Sequence, residues 1–122
     1  MRVITAILTY NRYSLLKRCI KYVRNQSVSH SDLIIINNGS TDKTSEYLNY
    51  NNIKEIKLNK GGSAQGWNAA IDYSIKFNYD FIWLMDDDGY PDQSALEKIL
   101  ENFDKETICI SSIVLNELNN SK

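Results

Sequence analysis

Short apolar runs closed by polar turn residues alternate along the chain with segments whose apolar residues recur every three or four positions. Val3 to Thr9 is a β-branched run ending in Thr9-Tyr10-Asn11-Arg12, and it reads as a first strand. Ser14 to Asn25 follows with Leu15, Leu16, Cys19, Ile20 and Val23 at helical spacing and Lys17, Arg18, Lys21 and Arg24 between them, an amphipathic helix with a solvated basic face. Leu33 to Ile36 is a second strand, stopped by Asn37-Asn38-Gly39-Ser40-Thr41-Asp42, in which Asn and Gly permit a tight turn and Ser, Thr and Asp can cap a helix. A short helix is expected over about Lys43 to Tyr50. Ile53 to Leu58 alternates apolar with charged residues, the pattern of a more exposed edge strand.

The loop Asn59-Lys60-Gly61-Gly62-Ser63-Ala64-Gln65-Gly66-Trp67-Asn68 leads into a helix running to about Phe77. Asp80 to Met85 then reads as a central strand buried on both faces, entering Asp86-Asp87-Asp88-Gly89. Pro91 suits the first turn of a helix over Asp92 to Phe103, and Thr107 to Leu115 is a last strand. Strands this apolar, alternating with helices, predict an α/β fold with a mostly parallel sheet and helices on both faces.

Composition changes this picture little. A chain of 122 residues is long enough for one core, with residues 1–115 as the domain and 116–122 as a polar tail. Hydrophobic content of 43%, charged content of 24% and a net charge of −1 are ordinary for a globular protein and provide no field to gather nucleic acid. Cys19 and Cys109 form no CxxC and lie in apolar contexts, so free buried thiols in a reducing compartment are expected. The first apolar run is too short to span a membrane and has no cleavage signal. The expectation is therefore a cytoplasmic protein, with room for a peripheral position at the inner membrane face. The sole histidine, His30, lies in a polar loop and reads as inert.

Candidate chemistry concentrates at the acidic triplet. Three adjacent carboxylates repel one another unless they are solvated, hydrogen-bonded or neutralised. A solvated acidic turn is the plain alternative, but a strand's carboxyl end is where open α/β sheets bind ligands, and oxygen ligands favour Mg²⁺ or Mn²⁺. Glycines before a helix likewise let the backbone approach an anion, although this loop is neither GxGxxG nor GxxxxGKS and a plain loop is as good a reading.

Thr9-Tyr10-Asn11-Arg12, Asn37-Asn38-Gly39-Ser40-Thr41-Asp42, Asn59-x-Gly61-Gly62 and Asp86-Asp87-Asp88-Gly89, in this order and over nearly all of the chain, resemble a family 2 glycosyltransferase of the GT-A fold. The resemblance implies the Rossmann-like nucleotide-binding half of such an enzyme. It also implies a nucleoside-diphosphate sugar as donor, a Mn²⁺ or Mg²⁺ ion on a DxD motif, and inverting transfer to a glycan or lipid-linked acceptor. By the same resemblance Asp88 meets the metal, Asp86 the ribose or a metal-bound water, and Asp87 the donor sugar. Thr9, Tyr10 and Asn11 match the segment lining the base, and Gly61, Gly62 and Asn68 match the loop near the ribose and diphosphate. Arg12, Asn38 and Gly39 complete the expected nucleotide-sugar site. Many members carry Asp where this chain has Asn37, so Asn37 is expected to take the N3–H of uracil through its carbonyl, without charge assistance. A UDP- or dTDP-sugar follows, and the acidic motif and Gly-Gly-Ser look most like galactofuranosyl and rhamnosyl transferases.

Members of the family run well beyond the length of this chain. The acceptor wall and catalytic base are therefore expected beyond Lys122, since Glu97, Glu101, Asp104 and Glu106 read as surface charges. On that expectation the chain binds donor without transferring it and exposes apolar surface that favours self-association. The alternatives are a non-catalytic nucleotide-sugar-binding module and a receiver-like Mg²⁺-binding domain, the latter requiring acidic residues after strand one that this chain lacks.

Overall fold

The computed structural model describes residues 1–29, 32–59 and 61–104. The expected fifth strand at Thr107 to Leu115, the tail at 116–122, His30, Glu106 and Cys109 all lie outside the described residues. Eight elements alternate within them: β1 (Val3–Thr9), α1 (Tyr13–Arg24), β2 (Asp32–Asn37), α2 (Thr44–Tyr50), β3 (Lys54–Lys57), α3 (Ser63–Lys76), β4 (Phe81–Asp86) and α4 (Ala95–Glu101).

The strands pair in the order β3-β2-β1-β4, all parallel. β1 lies inside this sheet and is buried along its whole length, as its unbroken β-branched run requires. Side chains alternate between two core layers. Ile7 and Ile35 pack with Leu16, Cys19, Ile20 and Val23 of α1 and Leu48 of α2, while Ile4, Ala6, Leu8, Ile34 and Ile36 pack with Ala70 of α3. Helices thus cover both faces, as expected. Ile7 and Ile35 are fully buried, and each such side chain contributes about 1.5–3 kcal/mol of transfer free energy.

Several expectations need correction. β4 is only half-buried from Phe81 to Met85, because among the described strands it pairs with β1 alone; an apolar run marks a core-forming strand but not its neighbours. α3 begins at Ser63 rather than after Asn68. α4 begins at Ala95, beyond Pro91, because the Asp92 carboxylate takes the N–H and hydroxyl of Ser94 at 3.2 and 2.7 Å and builds a turn first. Gln26 then accepts the N–H of Leu96 at 3.0 Å, satisfying a donor at that helix's start. β3, with its two end residues exposed, is an edge strand among those described. Glu97 is not merely solvated, since it accepts the Ser27 hydroxyl at 2.6 Å.

Candidate functional site

From β1 the chain moves through β2 to β3 on one side of the sheet, then returns to place β4 on the other. The carboxyl ends of β1 and β4 therefore flank a switch point, where the departing connections diverge and leave a crevice. Leu8, level with Asp86 across the β1–β4 pair, forms its floor. The crevice holds about 260 Å³, with Thr9, Tyr10 and Arg12 from the end of β1, Asn38 from that of β2, Asp86 and Asp87 from that of β4, and Gly61, Gly62 and Ser63 opening α3. Four motifs far apart in sequence thus meet at one edge.

The strand's two-residue period separates the three acids. Ile82 and Leu84 face the α3 side and Trp83 and Met85 the α1 side, so Asp86 continues the first set and Asp87 the second. Asp86 and Asp88 are exposed whereas Asp87 is 3% exposed. The Thr9 hydroxyl donates to Asp87 Oδ2 at 2.8 Å, and Arg12 Nη1 lies 3.3 Å from Oδ1. Burial raises the Asp87 carboxyl above its ordinary value, reinforced by Asp88 and Asp86 and opposed by Thr9 and Arg12. Asp87 is accordingly a buried bracket between β1 and β4 at the crevice wall.

The same period corrects the reading of Asn37. It shares the α1 face with Ile35 and is 2% exposed. Its amide donates to Glu55 Oε2 at 2.6 Å and Ser45 Oγ at 3.1 Å, while its carbonyl accepts the Ser40 N–H at 3.0 Å. Asn37 ties β2 to β3 and α2, and it is not among the residues that line the crevice. Asn38, one position on, faces the crevice. It donates to Gly61 O at 2.8 Å and accepts the Gly61 N–H at 3.1 Å, which fastens the glycine loop to the end of β2. Asn68 lies in the second turn of α3, exposed and outside the crevice wall.

The two loops beside β1 hold one another. Asn11, at a positive φ of 49°, donates its N–H to Ser40 Oγ and accepts the Thr41 N–H at 2.7 Å. Asp42 accepts the N–H of Tyr13 at 3.3 Å and that of Thr44 at 3.1 Å. Gly39, at φ 84°, makes the left-handed bend between them. Asn11 and Gly39 therefore shape the wall, and Tyr10 supplies its exposed ring.

Two further residues support the acidic turn. Arg18 was expected to be solvated, but its Nη2 donates to the carbonyl of Asp88 at 3.1 Å and its guanidinium lies 4.1 Å from the Tyr90 ring centre. Its place beside Cys19, at the margin of the apolar stripe of α1, was the available signal. Cys19 itself is buried under Asp86, its Sγ 3.7 Å from that carbonyl. Burial first, and then Asp87 and Asp88, push its thiol up to about 12, so it stays protonated.

Among the described residues no group of three His, Cys, Asp or Glu side chains is arranged to hold a metal. Exposed Asp86 and Asp88 fit a hard divalent ion that takes one or two carboxylates and completes its shell with phosphate oxygens and water. A larger depression of about 410 Å³ lies at the opposite, amino end of the strands. There the Tyr79 hydroxyl hydrogen-bonds Asp32 and Arg2 covers the Tyr79 ring, and no switch point opens, so the smaller crevice is the stronger candidate. No helix among the described residues is long and apolar enough to cross a membrane.

Residues 5–121 match the family model described as Glycosyl transferase family 2. A chondroitin synthase of Pasteurella multocida is 32% identical over 108 residues, which cover 83% of this chain and 11% of the synthase. The chain thus spans only a small part of that relative's length. Among solved structures, S. aureus TarS 1-349 in complex with UDP-GlcNAc superposes with a TM-score of 0.71 at 19% identity, over 83% of this chain and 30% of that one. The mannosyltransferase PcManGT of Pyrobaculum calidifontis, in complex with GDP-Man and Mn²⁺, gives 0.65 at 17% identity, over 75% and 29%. These two likenesses concern the fold.

Proposed function

Because the chain belongs to glycosyl transferase family 2, we propose that its crevice binds the nucleoside diphosphate of a sugar donor, for transfer of the sugar to a glycan or lipid-linked acceptor. The receiver-like alternative falls with the family match. The observation that carries the proposal is the meeting of the acidic turn and the glycine loop across the β1–β4 switch point. A nucleoside diphosphate leaves readily only if its growing negative charge is neutralised in place. Mg²⁺ or Mn²⁺ on Asp86 and Asp88 supplies that neutralisation when bound. Gly61, Gly62 and Ser63 let the diphosphate approach the start of α3, a helix of 14 residues whose first residue lines the crevice.

A uridine or thymidine base is favoured because Tyr10 offers a ring for stacking and the small crevice suits a pyrimidine. With Asn37 turned away, Asn38 is the side-chain amide placed to meet a base or ribose edge. Inverting displacement further requires a carboxylate within reach of the acceptor hydroxyl. Both oxygens of Asp87 already have partners, so we assign the base to none of the described residues.

Calorimetric titration of the whole chain with UDP, dTDP and GDP, with and without Mn²⁺, tests the reading. UDP and dTDP should bind more tightly than GDP, and Mn²⁺ should strengthen both. Tighter GDP binding would sink the base assignment, and no binding by any nucleotide would sink the donor site. Following a UDP-sugar and candidate acceptors by mass spectrometry separates a transferase from a module that binds donor without turnover.

A further inference from the structure

Arg12 touches two carboxylates of the acidic turn in a way that gives it opposite effects on a divalent ion and on a diphosphate. Its Nη1 lies 3.3 Å from Asp87 Oδ1 and 3.9 Å from Asp88 Oδ2, yet its side chain remains 52% exposed and lines the crevice opposite the glycine loop. The anchor is firm on one side because Asp87 is buried, and a buried carboxylate needs its cationic partner. The other side of the guanidinium is open. A divalent ion approaching Asp88 meets a fixed positive charge that already neutralises part of the turn. A diphosphate entering the same crevice meets that charge as an attraction.

We propose that Arg12 is a built-in counter-ion of the acidic turn that opposes a divalent cation binding alone and favours the diphosphate. The inference rests on the donor-site reading above. A merely structural ion pair on a half-exposed arginine would leave metal binding almost unchanged.

The test is titration of the whole chain with Mn²⁺ alone, read by electron paramagnetic resonance of free Mn²⁺, and with UDP alone in chelator, read by calorimetry. Arg12→Gln should bind Mn²⁺ alone roughly three- to tenfold more tightly, the scale of one partly screened charge at a few ångströms. It should bind UDP alone more weakly by a similar factor. Arg12→Met should repeat both shifts without a hydrogen-bonding head group, and Arg12→Lys should stay near the parent for Mn²⁺. Unchanged or weaker Mn²⁺ binding in both the Gln and Met variants, with a parent that binds both ligands, overturns this inference alone. A parent that binds neither ligand overturns the donor site and the inference with it.

Discussion

Asp42 holds the starts of two helices at once, accepting the N–H of Tyr13 at the start of α1 and the N–H and hydroxyl of Thr44 at the start of α2. Burial alone would raise its carboxyl, but the Thr44 hydroxyl, with the backbone donors of Thr44 and Tyr13, outweighs burial and holds it below the ordinary 3.8. A depressed carboxyl contributes stability that is present above the unfolded value and lost as pH falls through the folded one. Asp42→Ala should therefore cost about 1 kcal/mol at neutral pH, a deficit that closes on acidification; parallel urea unfolding at several pH values checks it. Thr9→Val should cost more, about 1–3 kcal/mol, because it strips a buried carboxylate of a donor. Denaturant midpoints should place it below the Asp42 variant. Both residues lay in motifs visible in the sequence, but their tasks did not. The pairs Asn37-Asn38 and Asp86-Asp87 are each split by the pleat, and composition gives the two members equal claim on a ligand. Only the parity set by Ile35 against Ile36, and by Met85 against Leu84, tells on which face of the sheet each one lies.

The glycines at the start of α3 separate packing from binding at the scale of an element. A Cβ on Gly66 would lie 2.4 Å from Leu8 Cδ1, so this helix can approach β1 only where a side chain is absent. Gly66→Ala should destabilise by about 1–3 kcal/mol through overpacking, against the roughly 1 kcal/mol that alanine gains in helix propensity. Gly62 is different: a Cβ there meets nothing within 4 Å, and its φ of −76° is ordinary. Gly62→Ala should fold within about 0.5 kcal/mol of the parent yet bind UDP more weakly, because the added methyl stands where the diphosphate approaches. Thermal unfolding and calorimetry together check the pair; a large stability loss at Gly62, or none at Gly66, would reverse the assignment. In the sequence these glycines formed one undivided loop. The helical spacing of Gly66 and Ala70, both buried toward the sheet, was the overlooked sign that α3 had begun.

Across the whole molecule, the alternation of strand and helix and the burial of β1 and β2 were legible because unbroken apolar runs leave no solvent-facing side. The strand order was not legible, since hydrophobicity reports how deeply a strand is buried and not which strand lies beside it. That is why β4, with an apolar run as strong as those of β1 and β2, was expected at the centre, whereas among the described strands it pairs with β1 alone and forms one wall of the crevice. Its placement matters for function, because the acids at its end are joined to β1 through the ladder and the Thr9–Asp87–Arg12 contacts. A ligand bridging the acidic turn and the glycine loop would clamp β4 to the start of α3 and to β1, stabilising the sheet as it binds. With UDP and Mn²⁺ at about a hundred times the dissociation constant, that linkage is worth about 2.7 kcal/mol, or roughly 10 °C in Tm for a domain of this size. Asp88→Asn should lose most of the Mn²⁺-dependent part of the rise while keeping the unliganded Tm, because Asp88 is 62% exposed. Equal rises in the parent and in Asp88→Asn would mean that the divalent ion acts on the nucleotide in solution and that the acidic turn does not hold it.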